Sequence, residues 1–420
     1  MSSNHSNRTV WIYNDLPPGV VAGASLMADN WQRALPAFGL TPRLFAPSGS
    51  ARRTHDSDSV TFRTMRNVGY PGDWHARFSL LAELRRVGPD RPDAIIVATP
   101  LRVGTLGLAT ASIHGIPLVV VHSSDMSSIA EYFGSFRAMA SAASKLLGLH
   151  LLSAPVRSAF WRREAMAAAF RTRRHAGVIT VHGIRAIYSE AAAIVVLGEK
   201  MRREVDSWNM TVPVHTIPLG VDRLPVRDSP VTVKWPEGRL RLLYVGRFSR
   251  EKNVELLIHA VRHATDRGVD VHLALCGEGH MVRRLRALVT ELGLDDRVDL
   301  IGPFPHDELQ AVYSSADVFV FPSRADSQAM ALNEAALEGL PMIGCDPHVN
   351  AVLVDGQSGI VIEDDAEQWA GAIETMTDAD VRRSFGLRAR ELAERSSEKS
   401  QMFKLASVVH DAIDRARSGH

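Results

Sequence analysis

Short apolar runs alternate with longer stretches of helical period from one end of the chain to the other. In the first half the runs fall at 9–13, 94–98, 118–122 and 193–197, and in the second at 240–245, 271–276, 298–301, 318–321 and 341–345. Runs of this length, bounded by Gly or Pro, are what strands look like when helices cover both faces of a parallel sheet. The alternation therefore predicts two doubly wound α/β domains. The stretch 214–238, VHTIPLGVDRLPVRDSPVTVKWPEG, is rich in Pro and Gly and carries no helical period, so the join is expected near it. From 366 to 417 the pattern is helical.

Composition narrows the picture. A chain of 420 residues is long for one domain and comfortable for two. A net charge of +1 argues against a dedicated nucleic-acid binder, which would need a marked positive excess. The two cysteines, Cys276 and Cys345, both sit in apolar runs, so no disulfide framework is expected and a reducing, cytoplasmic setting fits. The start, MSSNHSNRTV, lacks the apolar core of a signal peptide, and no run of eighteen apolar residues is present to span a bilayer. Residues 154–174 carry Arg157, Arg162, Arg163, Arg171, Arg173 and Arg174 against Glu164, interleaved with Phe160, Trp161, Met166 and Phe170. That pattern reads first as the solvated face of a surface helix and second as a basic helix in peripheral contact with anionic lipid.

Two stretches carry chemistry. In LLYVGRFSREKNVELLIHAV, 242–261, a strand ends at Val245, Gly246 permits a tight turn, and Arg247 and Lys252 flank the start of a helix near Asn253. A guanidinium fork, an ammonium and a helix end together make a diphosphate site. In SRADSQAMALNEAALEGLPMIG, 323–344, Asp326 falls in a loop and Glu334, eight residues on, in a helix over 331–339.

Gly-Arg-x-x-x-x-Lys after a strand, Gly277-Glu278-Gly279 after the next, Gly302 after a third, then DVFVFPSR and NEAALEGLPMIG resemble the carboxyl-terminal domain of retaining glycosyltransferases of family 4, which have the GT-B fold. The similarity runs from Pro218-Leu219-Gly220-Val221-Asp222 to about Arg388. In the first half, Gly19 and Gly23 stand where the family has its glycine loop, and PLVVVHSSDMSSIAEYFG resembles its strand ending in a histidine, here His122, followed by a tyrosine. Within the family that pattern is most like mannosyltransferases and lipid glycosyltransferases.

The resemblance implies two Rossmann-like domains facing a central cleft: an acceptor-binding domain over 1–218, a nucleotide-sugar-binding domain over 219–395, and a terminal helix over 396–420 packing back on the first. It implies a catalytic set of His122, Arg247, Lys252 and Asp326, with His122 near the anomeric carbon and the two cations on the donor diphosphate. The donor would also meet Gly19, Gly23, Gly246, Gly277, Ser327, Gln328, Met330 and the backbone of Ala329 to Ala331. Pro303 and Phe304 would hold the base, Asp326 the sugar and Glu334 the ribose hydroxyls. Two positions depart from the family: Asp326 replaces a Glu and Ala329 a Gly. No cofactor and no metal are expected, because the donor is a substrate and the cations can carry the leaving charge.

The expected activity is transfer of a sugar from a nucleoside diphosphate, GDP favoured over UDP, to a small soluble acceptor, as in bacterial natural-product biosynthesis. A membrane-associated enzyme with a lipid acceptor is the second reading, and a catalytically weak nucleotide-sugar-binding protein the third. Asp56-Ser57-Asp58 reads as a polar loop and not a metal motif. Gly277-Glu278-Gly279 lacks the third glycine of a dinucleotide fingerprint, position 282 being Val. His175 with His182, and Cys276 with His280, lack further ligands nearby. Trp74 and His75 read equally as core or acceptor loop.

Overall fold

The computed structural model describes residues 8–18, 23–48, 59–62, 64–65, 75–76, 91–99, 102–123, 185, 188–224 and 233–419. Gly19, the loop at 56–58, Trp74, the arginine-rich segment 154–174, His175 and His182 lie outside them. The chain divides into two compact units, one of 1–197, 201–218 and 399–420, the other of 198–200 and 219–398.

The first unit is built on β1 (Arg8–Tyr13), α1 (Gly23–Ala34), β2 (Leu40–Pro47), β3 (Ser59–Phe62), the short pair β4 (Thr64–Met65) and β5 (His75–Ala76), and β6 (Ala94–Val97). It continues through α2 (Arg102–His114), β7 (Leu118–His122), β8 (Ala193–Val196), α3 (Glu199–Ser207) and β9 (Val214–Thr216). Seven strands form one parallel sheet in the order β3-β2-β1-β6-β7-β8-β9. Every residue of β6, β7 and β8 is buried, which is why these strands read as unbroken apolar runs.

The apolar pattern missed β2, β3, the short pair β4 and β5, and β9. The sequence of β2, LTPRLFAP, looks unlike a central strand because of its prolines. Pro42 lies opposite Val10 of β1, whereas pairing with β3 begins only at Leu44, so this proline falls where β2 is still an edge.

The second unit holds β10 (Leu240–Val245), α4 (Val254–Asp266), β11 (Val271–Cys276), α5 (Val282–Glu291), β12 (Val298–Gly302), α6 (Leu309–Ser314) and β13 (Val318–Phe321). After these come α7 (Met330–Leu337), β14 (Met342–Gly344), β15 (Gly359–Val361), α8 (Ala366–Thr375) and α9 (Ala379–Glu394). Its six parallel strands run β12-β11-β10-β13-β14-β15. The chain starts in the middle at β10, builds outward to β12, then returns to the other side of β10 with β13. The turns leaving β10 and β13 therefore diverge, and the crevice at this reversal is where open α/β sheets bind ligands. The motif stretches 242–261 and 323–344 leave these two strands.

The helix expected over 331–339 is α7, which begins one residue earlier and stops at Leu337, with Gly339 at a φ of 78° turning the chain toward β14. Cys276 and Cys345 are both free and buried.

The last helix, α10 (Glu398–Ser418), is counted with the first unit from Lys399 onward. Arg8 Nη2 donates to Asp414 Oδ1 at 2.5 Å, His410 Nε2 to the Phe38 carbonyl at 3.0 Å, and Arg417 Nη2 to Asp93 Oδ1 at 2.6 Å. Among the described residues no helix is long and apolar enough to cross a membrane.

Candidate functional site

Three turns at the carboxyl ends of β10, β11 and β12 are laced by backbone hydrogen bonds. Gly246 N–H donates to the Cys276 carbonyl at 3.0 Å, Phe248 N–H to Glu278 at 2.8 Å, Met281 N–H to Phe248 at 3.1 Å and Gly277 N–H to Gly302 at 2.9 Å. This approach is what requires the glycines. A Cβ on Gly277 would stand 1.9 Å from the Gly246 carbonyl oxygen, and one on Gly279 would stand 2.3 Å from that of Phe248. Both residues also hold positive φ, 145° and 156°. Beneath the turn, the Tyr244 hydroxyl donates to the Arg247 carbonyl at 3.0 Å, and Phe248 is buried.

A single 3-10 turn, Arg250–Lys252, connects this platform to α4, and Asn253 ends it with a φ of 52°. It aims Lys252 at the loop after β13, where Nζ donates to Asp326 Oδ1 at 2.5 Å and stands 5.9 Å from the centre of the Phe321 ring. Burial works to raise the Asp326 pKa, but the charge and hydrogen bond of Lys252, with a smaller pull from Arg247, outweigh it and hold the carboxyl below its ordinary range. Asp326 Oδ2 is buried and makes no hydrogen bond to a described residue. Arg247 is half exposed, with Nη2 3.8 Å from Glu251 Oε1, which also accepts from the Ser249 hydroxyl at 2.5 Å. Two cations and two carboxylates thus share the crevice.

Glu334, inside α7, is only 6% exposed. Its Oε2 accepts from the Tyr313 hydroxyl of α6 at 2.7 Å, and its Oε1 faces His306 Nε2 at 3.0 Å. Burial, followed by the Glu334 charge and hydrogen bond, pushes the Tyr313 phenol well above its usual value. The hydrogen bond to Glu334 raises the His306 pKa against the opposing effect of burial, helped by the charges of Glu334 and Asp307. Sequence reasoning missed both partners. Tyr313 carried a signal, since a tyrosine on the apolar face of a helix needs a partner for its hydroxyl. His306, in a polar turn after Pro305, carried none.

The other expected donor residues are placed as follows. The Gln328 side chain clamps the Leu219 backbone, its Oε1 accepting from N–H at 2.6 Å and its Nε2 donating to the carbonyl at 2.9 Å. Ala329 is buried in the apolar core, and its carbonyl accepts from Asn350 Nδ2 at 2.9 Å. A methyl in place of the family's glycine is therefore accommodated by packing. Met330 and Ala331 open α7, while Phe304 packs against the same core. Gly277 is committed to the turn packing described above.

Gly23 and His122 belong to the first unit. Gly23 opens α1. His122, the last residue of β7, is buried, with Nε2 3.0 Å from Glu204 Oε2, Nδ1 3.4 Å from the Tyr188 hydroxyl, and its ring edge-on to Trp208 at 5.1 Å. Among the described residues no group of three His, Cys, Asp or Glu could hold a metal ion.

Residues 21–223 match the family described as Glycosyltransferase Family 4, and residues 227–392 match Glycosyl transferases group 1. Both halves of the chain thus match glycosyltransferase family models, and the fold is GT-B. Over 180 residues it is 31% identical to a D-inositol 3-phosphate glycosyltransferase of Corynebacterium diphtheriae, a match covering 41% of this chain and 42% of that one. The chain thus spans about two fifths of that relative's length. The fold is similar to sucrose-phosphate synthase from Thermosynechococcus elongatus, with a TM-score of 0.70 at 19% identity over 96% of this chain and 98% of the other. It is also similar to Anabaena HepE in complex with UDP-glucose, with a TM-score of 0.64 at 14% identity over 96% and 100%.

Proposed function

We propose that this glycosyltransferase-family chain moves a sugar from a nucleoside diphosphate to a small soluble acceptor, with retention and without a metal. The observation that carries the reading is the Lys252–Asp326 pair at the reversal point of the second sheet, beside Arg247. A diphosphate entering this crevice meets an ammonium held by a carboxylate and a half-exposed guanidinium, and those cations face the charge that builds on the leaving group. Asp326 keeps Lys252 in place and offers an acceptor to the sugar hydroxyls, while Glu334 is the carboxylate for the ribose.

A small polar acceptor is in keeping with the relative named for D-inositol 3-phosphate. GDP remains the favoured nucleotide on the His122-x-x-Asp125 pattern, and UDP is the second reading, favoured by the HepE complex.

The test is calorimetry of GDP and UDP with the native chain, Arg247→Ala and Lys252→Ala. Each cation should contribute roughly 1.5–3 kcal/mol through charge-assisted hydrogen bonds, so each variant should bind its nucleotide about ten- to a hundredfold more weakly. Undiminished affinity in both variants would overturn the diphosphate assignment. Turnover of the sugar donor by the native chain then separates an enzyme from a protein that only binds it.

A further inference from the structure

We propose that His306 is a further nucleotide-site residue: it covers Glu334, and a ribose hydroxyl reaches that carboxylate only by displacing the imidazole. The inference rests on the reading of Glu334 as the ribose acceptor and goes beyond it.

The geometry distinguishes the two partners of Glu334. The carboxylate is 6% exposed, so approach to it requires a neighbour to move. Tyr313 is 0% exposed and sits in the core of the second unit, so its hydroxyl is a fixed contact on Oε2. His306 is the opposite case. Its side chain is 48% exposed and rides on the three-residue turn His306–Glu308, which has no side-chain cap. Among the described residues its one side-chain hydrogen bond is the one to Oε1. The side chain able to yield is therefore the one on the solvent side of the carboxylate.

Displacement would couple nucleotide binding to a proton. The charges facing His306 are Glu334 of α7 and its own neighbour Asp307, and both favour the protonated ring. Behind Glu334 lies Tyr313 of α6, which in turn feels Cys276 of β11, and burial keeps both neutral by raising their pKa values, that of Cys276 to about 12. A ring separated from Glu334 loses the hydrogen bond that raised its pKa. Binding should then expel part of a proton in the window between the ordinary imidazole value and the raised one. By linkage, affinity should grow as pH rises through that window.

The experiment is calorimetry of UDP and GDP with the full chain at about pH 6, 7 and 8, in buffers of different ionisation enthalpy. The native chain is compared with His306→Gln, which keeps a donor but does not titrate, and with Glu334→Gln. Titration of the nucleotide's own phosphate is common to all three and cancels in the differences. The native chain should release a fraction of a proton more than His306→Gln, and the variant should lose that part of the pH dependence. Equal proton release and equal pH dependence would overturn the proposal, as would an equal loss of affinity at every pH in His306→Gln, which would mean the ring holds the nucleotide. An NMR titration of His306 in the native chain needs no variant: its pKa should fall on nucleotide binding, and an unchanged or higher value overturns the displacement. Unchanged affinity in Glu334→Gln, or binding of neither nucleotide, would sink the ribose reading itself and be recognised as that.

Discussion

Asp326 and Glu334 are eight residues apart in the chain but differ in their surroundings. Asp326 is tied to an ammonium, whereas Glu334 is held by a phenol and an imidazole. If they serve the sugar and the ribose respectively, the two should fail differently. Glu334→Gln should weaken binding of the bare nucleoside diphosphate, because the ionised acceptor is lost while the shape is kept. Asp326→Asn should leave that affinity nearly intact and lower transfer from the complete donor, since a sugar misplaced by about 1 Å can cost on the order of a hundredfold in rate. Calorimetry with the bare nucleotide, beside turnover with the sugar donor, compares them, and equal losses of nucleotide affinity would show the roles to be wrongly divided. The substitution of Asp for the family's Glu also has a local consequence. With one methylene fewer, the carboxylate stays beside Lys252 at the base of the crevice.

Among the elements, the turns after β10, β11 and β12 act as one platform because their backbones touch. Gly277→Ala should therefore be costly, combining positive φ with a Cβ placed 1.9 Å from the Gly246 carbonyl oxygen. Gly238→Ala is the control, with a φ of 78° and nothing within 4 Å of its Cβ. Strain alone should cost the control roughly 1–2 kcal/mol. Gly277→Ala should exceed that and also weaken nucleotide binding, because Arg247 is carried on the displaced turn. Urea unfolding of both variants measures the difference, and equal losses would mean that the turns do not depend on their close approach. The glycines were legible in the sequence, but their reason was not. The resemblance implied that Gly246 and Gly277 meet the donor, and the fold adds that Gly277 packs against another backbone.

Across the whole molecule, the chain completes its second unit at Glu398 and then contributes α10 to the first. Truncation after Glu398 would remove buried Met402, Leu405, Val408, Val409 and Ile413 and leave Arg8 without Asp414. At about 1.5–3 kcal/mol for each large buried side chain, the loss is comparable to the roughly 5–15 kcal/mol that holds a domain together. Hydrogen exchange should show β1 and β2 losing protection while β10, β11 and β13 keep theirs. Uniform loss in both units, or none, would contradict this assignment of the helix.

The alternation of apolar runs by itself determined that the chain forms two parallel α/β units, because strands covered on both faces have no polar side to show. β10, β11 and β13 coincide with the runs at 240–245, 271–276 and 318–321 for that reason. β2 and β9 escaped the pattern because edges, prolines and partly exposed positions dilute it. The residue types of the candidate site were also legible, since Gly246, Arg247 and Lys252 follow β10 in the turn to α4, Asp326 lies in the loop after β13 and Glu334 in the helix that this loop opens. Their pairing was not. Lys252 meets Asp326 because β10 and β13 are neighbours in the sheet, although 74 residues separate the two side chains. Glu334 meets His306 and Tyr313 because α6 and α7 pack beside each other, and His306 adjoins α6 on its own turn. Local spacing sets which face of an element a residue occupies; only the packing of elements far apart in the chain decides which charge it faces.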